Sequence, residues 1–308
     1  MRLMPDSPEP STGSAGPPST AGPPGMQGAV MLIGGAEDKR RERSILARFV
    51  ELAGEAEAHI AVIGTASSLG DRATAGYTEV FTALGAGRVT GLRPVSREDS
   101  ADPQALGVLG ESTGVFLTGG NQIRLTTVLA GTRLGDALAR AHDRGAVIAG
   151  TSAGASALSS HMVAFGRSGE VPKHRMVHIA SGLGLVSGVV VDQHFQERLR
   201  LGRLLAAVAL SPSLVGVGLD EDTAAIVHAD RKVEVIGRGA VLLVDGSGVV
   251  TDAFEAKGHR PMLVSGAVVH SLPAGSWFDL RSRKLISGPE GRVEPPREAL
   301  PAERKASE

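Results

Sequence analysis

From Gly28 onward, short apolar runs alternate with longer amphipathic stretches. Ala29–Ile33 is an apolar run that ends in Gly34-Gly35, and Asp38–Ala53 follows with helical spacing of Ile45, Leu46, Phe49, Val50 and Leu52. His59–Ile63 reads as a buried strand and Thr74–Leu84 as a helix. Val89–Leu92 reads as a strand, and Pro103–Leu109 as a helix. Val115–Leu117 reads as a strand ending at Thr118-Gly119-Gly120. Two helices follow, Gln122–Leu129 and Arg133–His142, and then the strand Ala146–Ala149. Continuously apolar strands separated by amphipathic helices predict an α/β fold, a mostly parallel sheet flanked by helices. From Val189 the chain gives a strand at Val189–Val191, a charged helix over Gln196–Val208 and an apolar run at Val215–Leu219. Ala224–His228, Val233–Ile236, Ala240–Val244 and Val249–Asp252 are short runs with turn residues between them. They predict an antiparallel C-terminal extension.

In such a fold ligands bind beyond the C-terminal ends of the parallel strands. Three loops therefore belong to one crevice: Gly34–Asp38, Thr118–Gln122 and Gly150–Gly154. The last of these, Gly-Thr-Ser-Ala-Gly, lies between an apolar strand and the small-residue, helix-compatible run Ala155–Ser160. That is the strand–turn–helix context of a nucleophile elbow. It would raise the Ser152 hydroxyl above the sheet edge and leave the Ala153 N–H free for an oxyanion. The blander reading is a tight turn of small residues in a chain with 41 glycines.

Composition narrows the function classes. The chain has 308 residues, 42% apolar and 21% charged, with a net charge of −1. With aromatics at only 3%, neither bulk charge nor base stacking points to a nucleic-acid partner. No run of about 18 apolar residues marks a membrane span. The absence of cysteine removes disulfides, thiolate metal sites and a cysteine nucleophile. We expect no metal and no cofactor. The first 28 residues hold seven of the 17 prolines and no apolar leader core. The expected organisation is a disordered tail over 1–28, one α/β catalytic domain over 29–287 and a second loose tail over 288–308. The expected location is cytoplasmic.

A serine nucleophile needs a base, and the base needs an orienting group. His194 follows an apolar strand and is the best placed of nine histidines, with His161, His174 and His178 as competitors. A histidine after a strand is also a common structural residue. Asp220-Glu221-Asp222 follow Val215–Leu219, and pattern alone leaves open which carboxylate faces the imidazole.

Five blocks then carry a family resemblance. They are Gly-Gly-Ala-Glu-Asp-Lys (34–39), Phe-Leu-Thr-Gly-Gly-Asn-Gln (116–122), Gly-Thr-Ser-Ala-Gly-Ala-Ser (150–156), Asp-Gln-His-Phe-Gln-Glu-Arg-Leu-Arg-Leu-Gly-Arg-Leu (192–204) and Gly-Leu-Asp-Glu-Asp-Thr-Ala (218–224). In this order they resemble the cyanophycinases, serine peptidases related to aspartyl dipeptidase, from about Ala29 to about Gly266. The resemblance implies a flavodoxin-like or glutamine-amidotransferase-like sandwich, usually dimeric. It implies Ser152 as nucleophile, His194 as base and Glu221 as the orienting acid. The implied substrate is cyanophycin, a poly-aspartate backbone with arginine amide-linked to each side chain, and the product is β-aspartyl-arginine.

Such a substrate carries free carboxylates and guanidinium groups. Arg198, Arg200 and Arg203 are candidate carboxylate partners, because guanidinium forks match carboxylates. The alternative is a solvated basic helix face. Asp192 and Gln193 are candidates for the substrate guanidinium and Gln122 for a backbone amide. The N–H groups of Gly120 and Ala153 are the expected oxyanion hole. Two other functions stay open: a dipeptidase for α-aspartyl peptides, and a non-catalytic binding protein on the same fold.

Overall fold

A computed structural model describes residues 27–255 and 258–289. The expected disordered tails lie outside the described residues except at their inner ends. There Gln27 and Gly28 are docked: the Gln27 side chain donates to Asp143 at 2.9 Å and the Gly28 N–H to the His142 carbonyl at 3.0 Å.

The first half alternates as expected. β1 (Val30–Ile33) leads to α1 (Ser44–Ala53), β2 (His59–Ile63) to α2 (Asp71–Ala83) and β3 (Arg88–Leu92) to α3 (Pro103–Glu111). β4 (Gly114–Leu117) leads to α4 (Gln122–Leu129) and α5 (Arg133–Asp143), and β5 (Val147–Thr151) to α6 (Ala153–Leu158). The chain then forms β6 (Ser159–Gly166), β7 (Val177–Ser181), β8 (Val186–Gln193) and α7 (Leu201–Leu210). β9 (Val215–Leu219), β10 (Thr223–Val227), β11 (Lys232–Gly237) and β12 (Ala240–Asp245) follow. The last strands are β13 (Val250–Thr251), β14 (Val264–Ser265), β15 (Val268–Pro273), β16 (Trp277–Asp279) and β17 (Lys284–Ser287).

These strands form two large sheets rather than one. The first has the order β17-β16-β11-β10-β1-β5-β4-β2-β3, and the second β15-β12-β9-β8-β6-β7. In the first, β1, β5, β4, β2 and β3 run parallel, and β10 adds antiparallel to β1. In the second, β6, β8 and β9 run parallel. Two-residue periodicity explains the layering. Met31 and Ile33 face α1 and α2, while Val30 and Leu32 face the opposite side. That opposite side shares one core with Val189, Val191, Val215 and Val217 of the second sheet. The outer face of the second sheet packs on α7 through Val190, Leu204 and Val208.

Three local expectations are corrected. The helix expected over Asp38–Ala53 begins only at Ser44, because the Asp38 carboxylate takes the N–H groups of Arg40 through Arg43 and holds them in a turn. The charged helix expected over Gln196–Val208 is α7, shifted to Leu201–Leu210; residues 194–200 form a tight turn with His194 and Leu199 at positive φ. Helix α6 stops at Leu158, and Ser159–Gly166 is a strand that periodicity did not single out.

Candidate active site

The C-terminal ends of β1, β5, β8 and β9 meet. Ser152 follows β5, with φ 52° and ψ −111°, so a non-glycine residue is held in a costly conformation. Close backbone packing keeps it there. A Cβ on Gly150 would overlap the Gly154 backbone, and one on Gly154 would overlap the Leu117 carbonyl. The Ser152 N–H donates to the Ile33 carbonyl at 2.9 Å.

His194 lies directly after β8, and its N–H donates to the Gly34 carbonyl at 2.9 Å. Its Nε2 lies 2.9 Å from Ser152 Oγ, and its Nδ1 lies 2.6 Å from Glu221 Oε1. A carboxylate at Nδ1 keeps a proton there and leaves Nε2 to accept from the serine. The ring packs against Gly35. A side chain on Gly35 would begin 2.7 Å from Nε2, and its φ of 105° is itself a glycine conformation.

The acidic turn after β9 divides its labour. Asp220 accepts the N–H groups of Gln196 and Ala240 at 3.1 and 3.0 Å. Asp222 accepts the Asp38 N–H at 2.8 Å. Glu221 alone turns to the imidazole, and its own N–H is held by Glu197 at 3.1 Å. The competing histidines lie elsewhere: His161 bonds Ser160, His178 stacks on Phe165 and His174 is buried beside Asp252.

Beside the serine stands the turn Thr118–Gln122. The place where a Gly119 Cβ would sit is 3.3 Å from Ser152 Cβ. Gly120 is backed against the Ala66 carbonyl, which takes the Asn121 N–H at 2.9 Å, and the Asn121 side chain caps α4. The N–H groups of Gly119 and Gly120 have no acceptor among the described residues. Ala153 is the first residue of α6, with its N–H next to Ser152.

The residues expected at substrate polar groups are only partly open to the crevice. Asp192, Gln193, Arg200 and Arg203 are brought together, but onto one another. Arg203 Nε and Nη2 clasp the Asp192 carboxylate, and Arg200 Nη1 reaches Asp192 Oδ1 at 3.2 Å and Gln193 Oε1 at 2.9 Å. All four are buried, Asp192 to 1% exposure. A solvated basic face is therefore replaced by an internal ion network, and a substrate carboxylate would have to compete with Asp192 for these guanidinium groups. Burial lowers the Arg200 pKa to about 10; Asp192 opposes that shift and Arg203 adds to it. Gln122 spends its amide nitrogen on the carbonyls of Val163 and Ala164, both at 2.9 Å. Arg198 is exposed and forms no ion pair among the described residues.

One neighbour was not anticipated. Glu37 is 4% exposed and accepts from Thr151 Oγ1 at 2.6 Å and from the Tyr77 hydroxyl, with Lys39 Nζ at 3.5 Å. A carboxylate inside a glycine-rich loop at a strand end was the signal available for it.

Residues 30–236 match peptidase family S51. The chain belongs to that family. It is a serine-type peptidase, and the family's span takes in Ser152, His194 and Glu221. The chain is 40% identical over 271 residues to the cyanophycinase of Trichormus variabilis, covering 86% of this chain and 89% of that protein. It is 39% identical over 263 residues to the cyanophycinase of Synechococcus elongatus, covering 85% and 82%. A crystal structure of a peptidase from an acI-B1 Actinobacterium superposes with a TM-score of 0.58 at 21% identity. It covers 80% of this chain and 98% of that one, and it shows the shared α/β fold. Among the described residues no helix is long and apolar enough to cross a membrane.

Proposed function

We propose that this S51 peptidase is a cyanophycinase whose catalytic domain spans residues 29–287. It hydrolyses the poly-aspartate backbone of cyanophycin from the chain end and releases β-aspartyl-arginine. The observation that carries the reading is the hydrogen-bonded chain Ser152 Oγ–His194–Glu221, with contacts of 2.9 and 2.6 Å, in a chain about 40% identical to cyanophycinases.

In this mechanism Ser152 attacks the backbone carbonyl while His194 Nε2 takes its proton. Glu221 stabilises the imidazolium that forms. The N–H groups of Ala153 and Gly120 receive the oxyanion, a contribution typically of about 3 kcal/mol per donor. His194 returns the proton to the leaving amine, and a water then attacks the acyl-serine with His194 again as base. Arg198 is open to meet a free carboxylate of the polymer, and Gln122 lines the approach. The Asp192–Arg200–Arg203 network, with Gln193, braces the end of β8 that leads directly into His194. The proposal includes a homodimer, which sedimentation tests, and a cytoplasmic location, which cell fractionation tests.

The deciding experiment incubates the purified protein with insoluble cyanophycin. Clearing, with release of a product of the mass of an aspartyl-arginine dipeptide, supports the reading. Binding without clearing supports a scaffold. Cleavage of small α-aspartyl peptides alone supports the dipeptidase.

A further inference from the structure

We infer that Glu37 is a positioning residue that ties the footing of the base to the strand end carrying the nucleophile. The loop Gly34–Asp38 touches the base itself and the chain neighbours of the other two triad members. Its Gly34 carbonyl holds the His194 N–H, its Gly35 packs on the imidazole, and its Gly35 carbonyl accepts the Asp222 N–H at 2.9 Å, next to Glu221. At its far end Glu37 Oε2 accepts the hydroxyl of Thr151, the residue before Ser152. One loop therefore spans from the base to the nucleophile, and Glu37 closes the span. The Ser152–His194 contact joins side chains from two different sheets, so their relative placement depends on such ties.

Glu37 is itself well braced. Tyr77 donates to its other oxygen, and Tyr77 is locked in an aromatic cluster with Phe81 and Phe116, the nearest ring centroid 4.5 Å away. Burial raises the Tyr77 pKa well above its ordinary value and the Glu37 charge adds to that, so the phenol stays protonated and donating. Lys39 completes the set, 3.5 Å from Glu37 and 4.2 Å from the Tyr77 ring centroid. A buried carboxylate needs partners of this kind, because an unpaired one is costly. Burial also puts it out of reach of a substrate, so its influence runs through Thr151 and the loop.

The test compares Glu37→Gln, Thr151→Val and Tyr77→Phe. Each is assayed for kcat and KM on cyanophycin, for melting temperature, and for the rate of Ser152 labelling by an organophosphonate. Labelling reports serine reactivity without any polymer. It therefore stays informative even if cyanophycin proves not to be the substrate, the reading on which the kcat measurement rests. Small misplacements of reacting groups cost up to about 100-fold. Glu37→Gln and Thr151→Val should each lower kcat and labelling together, about 10- to 100-fold, with KM within about twofold. Tyr77→Phe leaves the tie to Thr151 in place and should cost less than about threefold. Thr151→Val exchanges only the hydroxyl for a methyl of similar size and keeps the test usable if Glu37→Gln folds poorly. A lower melting temperature with unchanged labelling in Thr151→Val would overturn the inference. So would a Tyr77→Phe loss equal to that of Thr151→Val.

Discussion

The two sheets contribute to the site in different ways. In the proposed mechanism the first sheet supplies the nucleophile and the second the base and acid; Gly150, Gly154 and Leu117 pack so closely that Ser152 is held at positive φ. The second sheet holds its side chains with charge. Asp192 at the end of β8 is clasped by Arg200 and Arg203, and Asp220 and Asp222 fasten the turn that presents Glu221. A turn made of small residues is specified by its own few residues. A charge network is specified by residues far apart in the chain, and it is sensitive to each partner. The base should therefore respond to any change in the surrounding ion network, whereas the nucleophile depends on charge only through the tie of Thr151 to Glu37.

The largest effect expected is from Ser152→Ala. Alanine fits the elbow, so melting should be unchanged while kcat falls by about 10⁴- to 10⁶-fold. Retention of more than a few per cent of activity in the purified variant would remove the first sheet from the chemistry.

The acidic turn comes next. Glu221→Gln should lower kcat on the order of 10²- to 10⁴-fold, because an amide no longer stabilises the imidazolium. Asp220→Asn and Asp222→Asn should act mainly on stability, about 1 kcal/mol each, since their oxygens hold backbone N–H groups. Equal losses of kcat in all three would show a shared electrostatic role and dissolve the division of labour seen in the turn.

Arg203→Lys sharpens the comparison further. Removing one partner of a buried ion pair costs about 3–5 kcal/mol, and lysine keeps the charge but not the paired geometry, so about 1–3 kcal/mol is expected in urea unfolding. Activity should follow stability. Lost activity on cyanophycin with unchanged unfolding would show instead that the guanidinium serves the substrate.

The smallest effect lies at the opposite end of the first sheet. Burial lowers the His142 pKa, and the neutral ring bonds the Gly28 carbonyl at 2.8 Å. The unfolded chain then binds a proton more readily than the folded one, so this contribution is full above about pH 6.5 and is lost as pH falls through the folded value. Urea midpoints at pH 7.5 and 5.5 should differ less in His142→Gln than in the parent chain. An unchanged difference would assign the acid sensitivity to other groups.

Much of the first sheet was readable because its strands are continuous apolar runs bounded by glycines and its helices keep their own periodicity. Ser152 was legible for the same reason: an elbow is a local object. His194 and Glu221 were less so. Both were found as polar residues after apolar strands, but choosing Glu221 over Asp220 and Asp222 needed the resemblance, and in space the choice turns on three separate partners. The turn at Asp38 was misread as helix because side-chain capping of successive N–H groups leaves no mark in hydrophobic spacing. The basic helix face misled for a related reason: Arg200 and Arg203 look solvated until Asp192, eight and eleven residues earlier, folds against them.

The alternation of strands and helices, the crevice loops and the residue types able to do acyl transfer are all written in local sequence. All of these follow from nearest-neighbour sterics and hydrophobic period. Long-range packing alone divides the strands between two sheets, brings Ser152 at the end of one against His194 at the end of the other, and bonds Glu37 to Thr151. Strands apolar on both faces pack equally well in either sheet by pattern, and the choice is made by contacts between residues far apart in the chain.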